Sequence, residues 1–450
     1  MPENVVVIGG VAAGMSAASQ AKRRKPSLNV IALEKSEFVS YGSCGLPYYI
    51  MDLTKKHTDL VAISKEQFKS ERNIDVLTKI EVVSIDPQAG KVHAIDHNEK
   101  KDAVFPYDYL AITTGASAIK PPIPGIDNQG IFQVRTLDDG IAIKGYIKSH
   151  TLKRAAIIGA GYIGMEMAEA LKGLGLEVIV IEKLPNILGT MDDAITAVVE
   201  KTLESNGVKL LKSTEVKSFE KRDNETIRID TSNGSFDVDL VILSIGVRPN
   251  SEIAKTAGII TGAHNAILVN ERMETNIPNI YSAGDCATVR HIILKKDMFI
   301  PMGTTANKQG RIAGANIAGA NETFKGVVGT AVVKIFDLEV AKTGLTEKEA
   351  LENNFNAVSN VITSKTRAHY YPGGKPITIK LVMEKKTGKL LGAQMVGGEG
   401  VAKRIDIVVA GLYKGMTVDE LSRLDLSYAP PFAPVWDPLL VAANEAVKKV

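Results

Sequence analysis

The sequence predicts an α/β protein in which two parallel-sheet domains are followed by a smaller α+β domain. Three observations favour this fold class. A strand–turn–helix–strand pattern opens the chain and recurs at Arg154. The chain has 450 residues, more than a single hydrophobic core usually serves. Near the C-terminal end, the strand-like segments "GTAVVKIFDL" and "ITIKLVME" precede the helical "GVAKRIDIVVAGLYKGM".

The repeated pattern has the same parts in both copies. The first copy, "NVVVIGGVAAGMSAASQAK", reads as an apolar strand, a glycine turn and an alanine-rich helix, and the next strand, "NVIALE", ends on Glu34. The second copy is "RAAIIGAGYIGMEMAEAL", and its next strand, "EVIVIE", ends on Glu182. Each copy therefore places an acidic residue at the end of its second strand.

This pattern is typical of dinucleotide binding. The glycines let the backbone turn tightly and approach a pyrophosphate, which rests against the helix N-terminus, and the acid accepts hydrogen bonds from the ribose. The second copy has all three glycines, whereas the first has Val11 at the middle position with Gly10 beside it. An α/β protein with glycine-rich turns is the simpler alternative. Two dinucleotide sites in one chain favour electron transfer between a nicotinamide and a flavin.

Composition excludes several classes of function. A net charge of +3 favours neither nucleic acid nor a membrane surface as a partner. We expect no membrane-spanning helix and no signal peptide, since no apolar stretch is long enough and "MPENVVVIGG" has no basic start. Two cysteines are too few for a disulfide framework or a metal cluster, so we predict a cytoplasmic protein without a metal.

Further segments resemble a known family. "YDYLAITTGA" (107–116) ends in a Thr-Gly turn, "NIYSAGDCA" (279–287) contains a Gly-Asp turn, and "SIGVRPN" lies at 244–250. With the two glycine turns, this order resembles the FAD-dependent pyridine nucleotide-disulfide oxidoreductases over essentially the whole chain. The resemblance implies two Rossmann-like domains and a C-terminal α+β dimerisation domain. Their expected ranges are 1–118 with 246–325 for FAD, 119–245 for NAD(P)H and 326–450 for a homodimer interface.

The resemblance also implies which residues bind the cofactors. Those expected at FAD are Gly9, Gly10, Ala12, Ala13, Gly14, Glu34, Lys35, Val82, Thr114, Gly115, Gly284, Asp285 and Pro301. Those expected at NAD(P)H are Gly159, Gly161, Tyr162, Ile163, Gly164, Glu166, Glu182, Lys183 and Gly246. NADH is favoured because the Glu182 carboxylate would repel the 2′-phosphate of NADPH, although Lys183 leaves room for NADPH.

Cys44 is the expected redox centre. It ends "SYGSC" (40–44), which resembles the motif of the family's single-cysteine branch, and Tyr49 stands where a second cysteine would be. The thiol would alternate between a thiolate and a capped form. A helix starting near Pro47 would lower its pKa. The alternative is a buried structural cysteine, as we expect for Cys286 in "GDCAT".

Three features distinguish members of this branch. Ala12 stands where oxidases and peroxidases carry a histidine, and Tyr370 and Tyr428 match the catalytic tyrosines of coenzyme A-disulfide reductases, which reach the partner subunit's cysteine. An aromatic cluster at a dimer seam is the other interpretation of Tyr428. The basic segment "SQAKRRK" is either a solvated helix end or part of a coenzyme A site. The residues expected there are Gln20, Arg23, Ser40, Tyr41 and Ser43.

The sequence therefore predicts a homodimeric flavoenzyme that reduces coenzyme A disulfide, or a coenzyme A persulfide or polysulfide, through Cys44. Coenzyme A bound at Cys44 is a further expectation. NADH oxidase and sulfur or polysulfide reductase are the nearest alternatives. A flavin redox sensor and a ferredoxin- or rubredoxin-type reductase are more remote, because neither needs this combination of a complete second glycine turn and a cysteine beside the flavin.

Overall fold

The computed structural model describes residues 2–222 and 226–450, and it shows the predicted α/β class. Two five-stranded parallel sheets and one five-stranded antiparallel sheet form the three main layers. Each of these sheets draws its strands from one of the ranges expected for the three domains, while the boundaries themselves stay a prediction.

The first part of the chain builds most of the first parallel sheet and a three-stranded antiparallel sheet beside it. Its elements are β1 (Asn4–Ile8), α1 (Ala12–Arg24), β2 (Asn29–Glu34), α2 (Leu46–Ile50), α3 (Lys65–Arg72), β3 (Asp75–Thr78), β4 (Ile80–Asp86), β5 (Lys91–Asp96), β6 (Lys101–Pro106), β7 (Tyr109–Ile112) and β8 (Ala116–Ala118).

The middle of the chain forms the second parallel sheet and another three-stranded antiparallel sheet. Its elements are β9 (Ile131–Gln133), α4 (Leu137–Ser149), β10 (Arg154–Ile158), α5 (Tyr162–Gly173), β11 (Glu177–Ile181), α6 (Asp193–Ser205), β12 (Val208–Leu211), β13 (Val216–Lys221), β14 (Ile227–Thr231), β15 (Gly234–Val238), β16 (Leu240–Leu243) and β17 (Val247–Pro249).

The chain then returns to the first sheet before it enters the antiparallel one. The returning elements are α7 (Glu252–Thr256), β18 (Ile280–Ser282), β19 (Val289–His291), β20 (Lys296–Met298) and α8 (Gly303–Ile317). The last elements are β21 (Ala331–Ile335), β22 (Leu338–Gly344), α9 (Glu347–Glu352), β23 (Ala357–Lys365), β24 (Pro376–Glu384), β25 (Leu390–Gly397), α10 (Val401–Lys414), α11 (Val418–Ser422) and α12 (Pro438–Val447).

The strand order explains where the glycine turns lie. The first sheet runs β18-β7-β1-β2-β3 and the second runs β12-β11-β10-β16-β9, so β1 and β10 are both central strands. Val5, Val6 and Val7 are completely buried, as expected of a parallel strand covered on both faces. The turns that follow β1 and β10 therefore lie at the carboxyl edges of the sheets, where ligands of such folds bind.

Helix α2, which follows Cys44, packs on the second parallel-sheet domain. Its Leu46 and Ile50 belong to the same buried cluster as Leu137 and Ile143 of α4. A β-carbon on Gly140 would lie 2.7 Å from Leu46 Cδ2, so the two helices touch closely at this glycine. The position of Cys44 is consequently set by both nucleotide-binding ranges.

Candidate functional site

The two glycine turns have nearly the same backbone. Gly9 has a φ of +106° and Gly159 a φ of +103°, a region that favours glycine. A β-carbon on Gly14 would lie 1.8 Å from the carbonyl oxygen of Gly9, and one on Gly164 would lie 2.1 Å from that of Gly159. These positions accept only glycine without a backbone shift, as the dinucleotide pattern requires.

The acid at the end of each second strand is fixed across its turn. Glu34 Oε2 accepts a hydrogen bond from the Gly10 N–H at 2.7 Å, and Glu182 Oε2 accepts one from the Ala160 N–H at 2.7 Å. Each carboxylate thus lies at the mouth of its turn, where the predicted ribose would be. Lys183 forms an ion pair with Glu215 at 2.6 Å, and both side chains are exposed.

The helix N-termini at these turns fit a phosphate ligand. The helices that start at the two turns, α1 and α5, have neither a side-chain cap nor an acidic residue in the first turn, and the same is true of α2, α8 and α10. In contrast, α3, α4, α9 and α11 each close their first turn with a capping box. Unpaired N–H groups and the helix dipole attract anions, so the uncapped termini suit the pyrophosphates of two dinucleotides.

The remaining residues expected at FAD come from several separate parts of the chain. Ala12 and Ala13 begin α1, and a β-carbon on Gly284 would lie 2.8 Å from the Ala13 side chain. Lys35 follows β2 and is exposed, and Pro301 lies just before α8. Val82 is in β4, half-buried against the first core.

The Thr-Gly turn after β7 is braced by a residue that the sequence analysis did not single out. Asn250 donates a hydrogen bond to the Thr114 carbonyl at 2.9 Å, and its own carbonyl accepts one from Thr114 Oγ1 at 2.5 Å. The Asn250 N–H also bonds to the Gly115 carbonyl at 2.9 Å, while Gly246 accepts a bond from the Ile119 N–H. This brace joins the start and end of the inserted domain beside the flavin site.

Asp285, one of the residues expected at FAD, forms an ion pair with Arg135 at 2.6 Å. Arg135 Nε–H also donates to the Ala116 carbonyl at 2.9 Å. Arg135 was missed because it stands between β9 and α4, far along the chain from the residues that it contacts. It brings a positive charge from the second domain to the first site.

Cys44 lies on the loop after β2, which is hydrogen-bonded to the first glycine turn. Ser40 has a positive φ of +49°, and its N–H donates to the Gly10 carbonyl at 2.8 Å. Cys44 occupies a 3₁₀ turn, Ser43–Gly45, directly before α2. The side chain of Cys44 is exposed, whereas Cys286 is completely buried, as predicted. Exposure beside the turn argues against a structural role for Cys44.

One expectation about this cysteine was wrong. Crowding around the thiol raises the pKa of Cys44, the Glu166 carboxylate raises it further, and Arg135 opposes the change. We expected a helix dipole to lower the pKa, but α2 has only five residues and contributes little field. Desolvation of the thiolate is the larger effect here.

Two residues of the second domain reach the Cys44 helix. Burial raises the pKa of Glu166 to about 7, and Tyr48 of α2 opposes this rise. Lys144 Nζ is buried and donates to the Tyr49 carbonyl at 2.7 Å, and it pairs with Asp52 at 2.6 Å. Lys144 and Tyr48 were both missed. A single lysine in the apolar stretch "IAIKGYI" (141–147) was the available signal for Lys144.

Tyr162, expected at NAD(P)H, begins α5 with Ile163 beside it, and both are half-buried. The Tyr162 hydroxyl lies 3.1 Å from Thr190 Oγ1. The ring therefore has a fixed partner on the second domain at its outer end.

The structure brings the two predicted catalytic tyrosines together. The hydroxyls of Tyr370 and Tyr428 are 3.0 Å apart, within hydrogen-bonding distance. Both rings are exposed, as are Phe432 and Trp436, which are 77% and 61% exposed. The tyrosine pair therefore lies in an exposed aromatic patch, consistent with both interpretations of Tyr428.

The residues expected to bind coenzyme A differ in exposure. Arg23 is exposed and donates to Oε1 of the buried Gln20 at 3.0 Å. Its neighbours are occupied, since Arg24 pairs with Glu322 and Lys25 pairs with Glu3. No carboxylate pairs with Arg23 among the described residues. Tyr41 and Ser43 are half-buried beside the Cys44 loop, and burial raises the pKa of Tyr41 to about 12.

Two searches of the described residues found nothing. None of their helices has both the length and the apolar character needed to span a bilayer. None of their histidine, cysteine and carboxylate side chains form a group of three that could hold a metal ion.

Together, the two dinucleotide turns, the exposed cysteine and the third domain define a flavin- and nicotinamide-dependent oxidoreductase. The model of the pyridine nucleotide-disulphide oxidoreductase family matches residues 3–318, and that of its dimerisation domain matches residues 330–438. The chain belongs to this family, whose members use FAD and NAD(P)H.

Relatives of similar identity have different names. The NADH oxidase of Methanocaldococcus jannaschii is 40% identical over 447 residues, covering 99% of both chains. The NAD(P)H coenzyme A polysulfide/persulfide reductase of Pyrococcus horikoshii is 40% identical over 446 residues, covering 99% of this chain and 98% of that protein. The solved NAD-dependent persulfide reductase from A. fulgidus is 39% identical with a TM-score of 0.95, covering 99% of this chain and 83% of that one.

Proposed function

We propose that this protein uses NADH to reduce the sulfur–sulfur bond of a coenzyme A-linked substrate through Cys44. Coenzyme A disulfide is the leading substrate, followed by coenzyme A persulfide or polysulfide. The observation that carries the proposal is that Cys44 is exposed on a loop next to the first glycine turn. The hydrogen bond from the Ser40 N–H to the Gly10 carbonyl holds this loop to the turn. The homodimer and the cytoplasmic location predicted from the sequence are part of the proposal.

The sulfur chemistry balances for coenzyme A disulfide. The Cys44 thiolate attacks one sulfur, which forms a mixed disulfide with coenzyme A and releases a first coenzyme A thiolate. When bound, FAD accepts a hydride from NADH and supplies an electron pair to sulfur. That pair breaks the mixed disulfide, regenerates the Cys44 thiolate and releases a second coenzyme A. Two thiols and one NAD⁺ therefore form from one disulfide, one NADH and one proton.

The chain places proton donors around this chemistry. Glu166, with a pKa of about 7, holds a proton part of the time near neutral pH. The raised pKa of Tyr41, about 12, keeps its hydroxyl protonated as a hydrogen-bond donor. Tyr370 and Tyr428 would add donors from the partner subunit. The Gln20–Arg23 pair supports phosphate binding because the Arg23 guanidinium is exposed and otherwise uncommitted.

The nicotinamide preference rests on Glu182. Its Oε2 is held by the Ala160 N–H, which fixes a negative charge where NADPH would place its 2′-phosphate. The Lys183 charge is offset by Glu215 and does little to weaken this repulsion. We therefore propose that NADH is preferred to NADPH.

NADH oxidase activity is the second candidate, and a relative of that name favours it. Ala12 argues against it as the main activity. The oxidases of the branch that this chain resembles carry a histidine at the position of Ala12. An alanine cannot protonate the leaving oxygen of a peroxide as a histidine can.

The proposal is tested by anaerobic NADH consumption with coenzyme A disulfide and with coenzyme A persulfide, counting the thiol or sulfide released. We expect two thiols per NADH with the disulfide, lost in Cys44→Ser and kept in Cys286→Ala, the matched thiol control. Turnover with coenzyme A persulfide but not with coenzyme A disulfide would make the persulfide the substrate in place of the disulfide. NADH consumption that needs oxygen and survives Cys44→Ser would contradict the proposal.

A further inference from the structure

A buried ion pair lies under the two segments that carry the catalytic tyrosines. Arg404 of α10 and Asp437, the residue before α12, are each 7% exposed. The Arg404 Nε–H donates to both carboxylate oxygens of Asp437, at 3.1 and 2.9 Å. Asp437 Oδ1 also accepts the Leu439 N–H at 2.8 Å and thereby caps α12. The carboxylate is thus held from two sides.

The rest of the Arg404 guanidinium bonds to the backbone of both tyrosine segments. Nη2 donates to the Thr366 carbonyl at 3.4 Å, in the loop that leads to Tyr370. It also donates to the Phe432 carbonyl at 3.3 Å, in the segment that follows Tyr428. One planar group therefore fixes the separation of two segments that are distant in sequence.

Two further contacts make this arrangement rigid. The Ala368 N–H bonds to the Pro430 carbonyl at 3.3 Å, which links the two segments directly. Nη1 of Arg404 donates to the Gly400 carbonyl at 3.3 Å. A β-carbon on Gly400 would lie only 2.5 Å from this nitrogen, so the guanidinium is packed against the glycine.

Stability alone is a weak reason for such a pair. A buried ion pair can often be replaced by apolar residues without loss of stability, because desolvation offsets the attraction between the charges. What apolar residues cannot provide is a fixed set of directions toward a carboxylate and two carbonyl groups. Both tyrosine rings are exposed, and the Tyr370 ring contacts His369 edge-on with the ring centroids 5.2 Å apart. The spacing of the two hydroxyls therefore depends on the positions of the segments that carry them.

We propose that Arg404 is a positioning residue that, with Asp437, holds the hydroxyls of Tyr370 and Tyr428 in their 3.0 Å pair. In this pair one hydroxyl donates to the other, and the second keeps its own O–H free to donate outward. That free O–H is the group that would meet a thiolate on Cys44 of the partner subunit. The inference rests on the proposed function only in naming this thiolate as the target.

The test measures Cys44 without any disulfide substrate. The rate at which iodoacetamide alkylates Cys44 is followed against pH in the FAD-loaded dimer, by mass spectrometry of the cysteine peptide. A donated hydrogen bond favours the thiolate, so Arg404→Lys should raise the apparent pKa of Cys44 by about 1 unit. Arg423→Lys is the control, because Arg423 forms an exposed pair with Asp419 at 2.9 Å in the same domain.

A double-mutant cycle separates positioning from general destabilisation. We expect Tyr370→Phe/Tyr428→Phe to shift the Cys44 pKa as Arg404→Lys does, and we expect Arg404→Lys to add nothing in that background. Equal shifts with and without the tyrosines, or no shift in a folded Arg404→Lys dimer, would overturn the inference. Asp437→Asn repeats the test should Arg404→Lys fail to fold. Failure of the proposed function is seen separately, as absent coenzyme A disulfide turnover in the wild type.

Discussion

The two glycine turns share a backbone but differ in the loop that each one holds. At the first turn the Ser40 N–H donates to the Gly10 carbonyl at 2.8 Å, and at the second the Leu188 N–H donates to the Ala160 carbonyl at 2.8 Å. The loop held by the first turn bears Cys44, whereas the loop held by the second bears no cysteine.

We expect this difference to correspond to the two cofactors. The loop with Cys44 would place the redox thiol beside the turn predicted for FAD, whereas the turn predicted for NAD(P)H has no thiol beside it. The shared backbone suits a pyrophosphate in both cases, so the chemistry at each turn would depend on the loop that the turn holds. The following experiments test this comparison.

The largest effect is expected from matched substitutions of the third glycine. In Gly14→Ala the new β-carbon would lie 1.8 Å from the Gly9 carbonyl oxygen, and we expect the purified protein to lose FAD. In Gly164→Ala the corresponding distance is 2.1 Å, and we expect FAD to stay while its reduction by NADH slows about 100-fold. Flavin absorbance and stopped-flow reduction measure the two outcomes. Gly145→Ala on α4, where a β-carbon would meet no described atom within 4 Å, should change neither.

The second-largest effect, on stability, is expected at Lys144, the lysine of α4 that bonds to α2. Lys144→Met leaves the buried Tyr49 carbonyl without its charged donor, so we expect the free energy of unfolding to fall by about 1–3 kcal/mol. Lys144 also lowers the pKa of Asp52, so the ionised Asp52 stabilises the folded state. This stabilisation is present above the ordinary pKa of aspartate, 3.8, and is lost as pH falls through the lowered pKa. The difference from wild type should therefore shrink in acid. Denaturant titrations at several pH values measure it, with Lys201→Met, exposed on α6, as the control.

The third effect is on thiol reactivity. The Glu166 carboxylate raises the pKa of Cys44, so Glu166→Gln should lower that pKa and speed alkylation at pH 8 by about threefold. Because burial raises the pKa of Glu166 from 4.5 to about 7, its ionisation costs stability as pH rises between these values. The substitution should flatten that pH dependence. An unchanged alkylation rate would place Glu166 outside the field felt by the thiol, and Glu204→Gln on α6 serves as the control.

The smallest effect is expected at Lys183, an exposed residue next to Glu182 at the second glycine turn. Lys183→Ala removes an exposed ion pair with Glu215 and should change the free energy of unfolding by less than about 0.5 kcal/mol. The preference for NADH, measured as the ratio of kcat/KM for NADH and NADPH, should hardly change. A preference that rises about tenfold would show that Lys183 does assist NADPH.

The sequence predicted the elements whose chemistry is local. Both turns, Glu34 and Glu182 stand in one strand–turn–helix–strand unit each, so their geometry follows from short-range pattern. The residues that were missed act between distant segments, as Lys144 does on Tyr49 across 95 positions. The direction of the Cys44 pKa was wrong for the same reason, because desolvation depends on the assembled site. Resemblance identified Tyr370 and Tyr428, but nothing local in the sequence predicted that their hydroxyls would pair.

The most direct test of the central claim is to trap the covalent state of Cys44. The oxidised holoenzyme, pretreated with NADH to clear any cap, is mixed anaerobically with coenzyme A disulfide and analysed by intact mass and peptide mass spectrometry. We predict one coenzyme A in disulfide linkage to Cys44 per chain, removed again by one equivalent of NADH. A protein that releases thiols from coenzyme A disulfide but never carries coenzyme A on Cys44 would contradict the account.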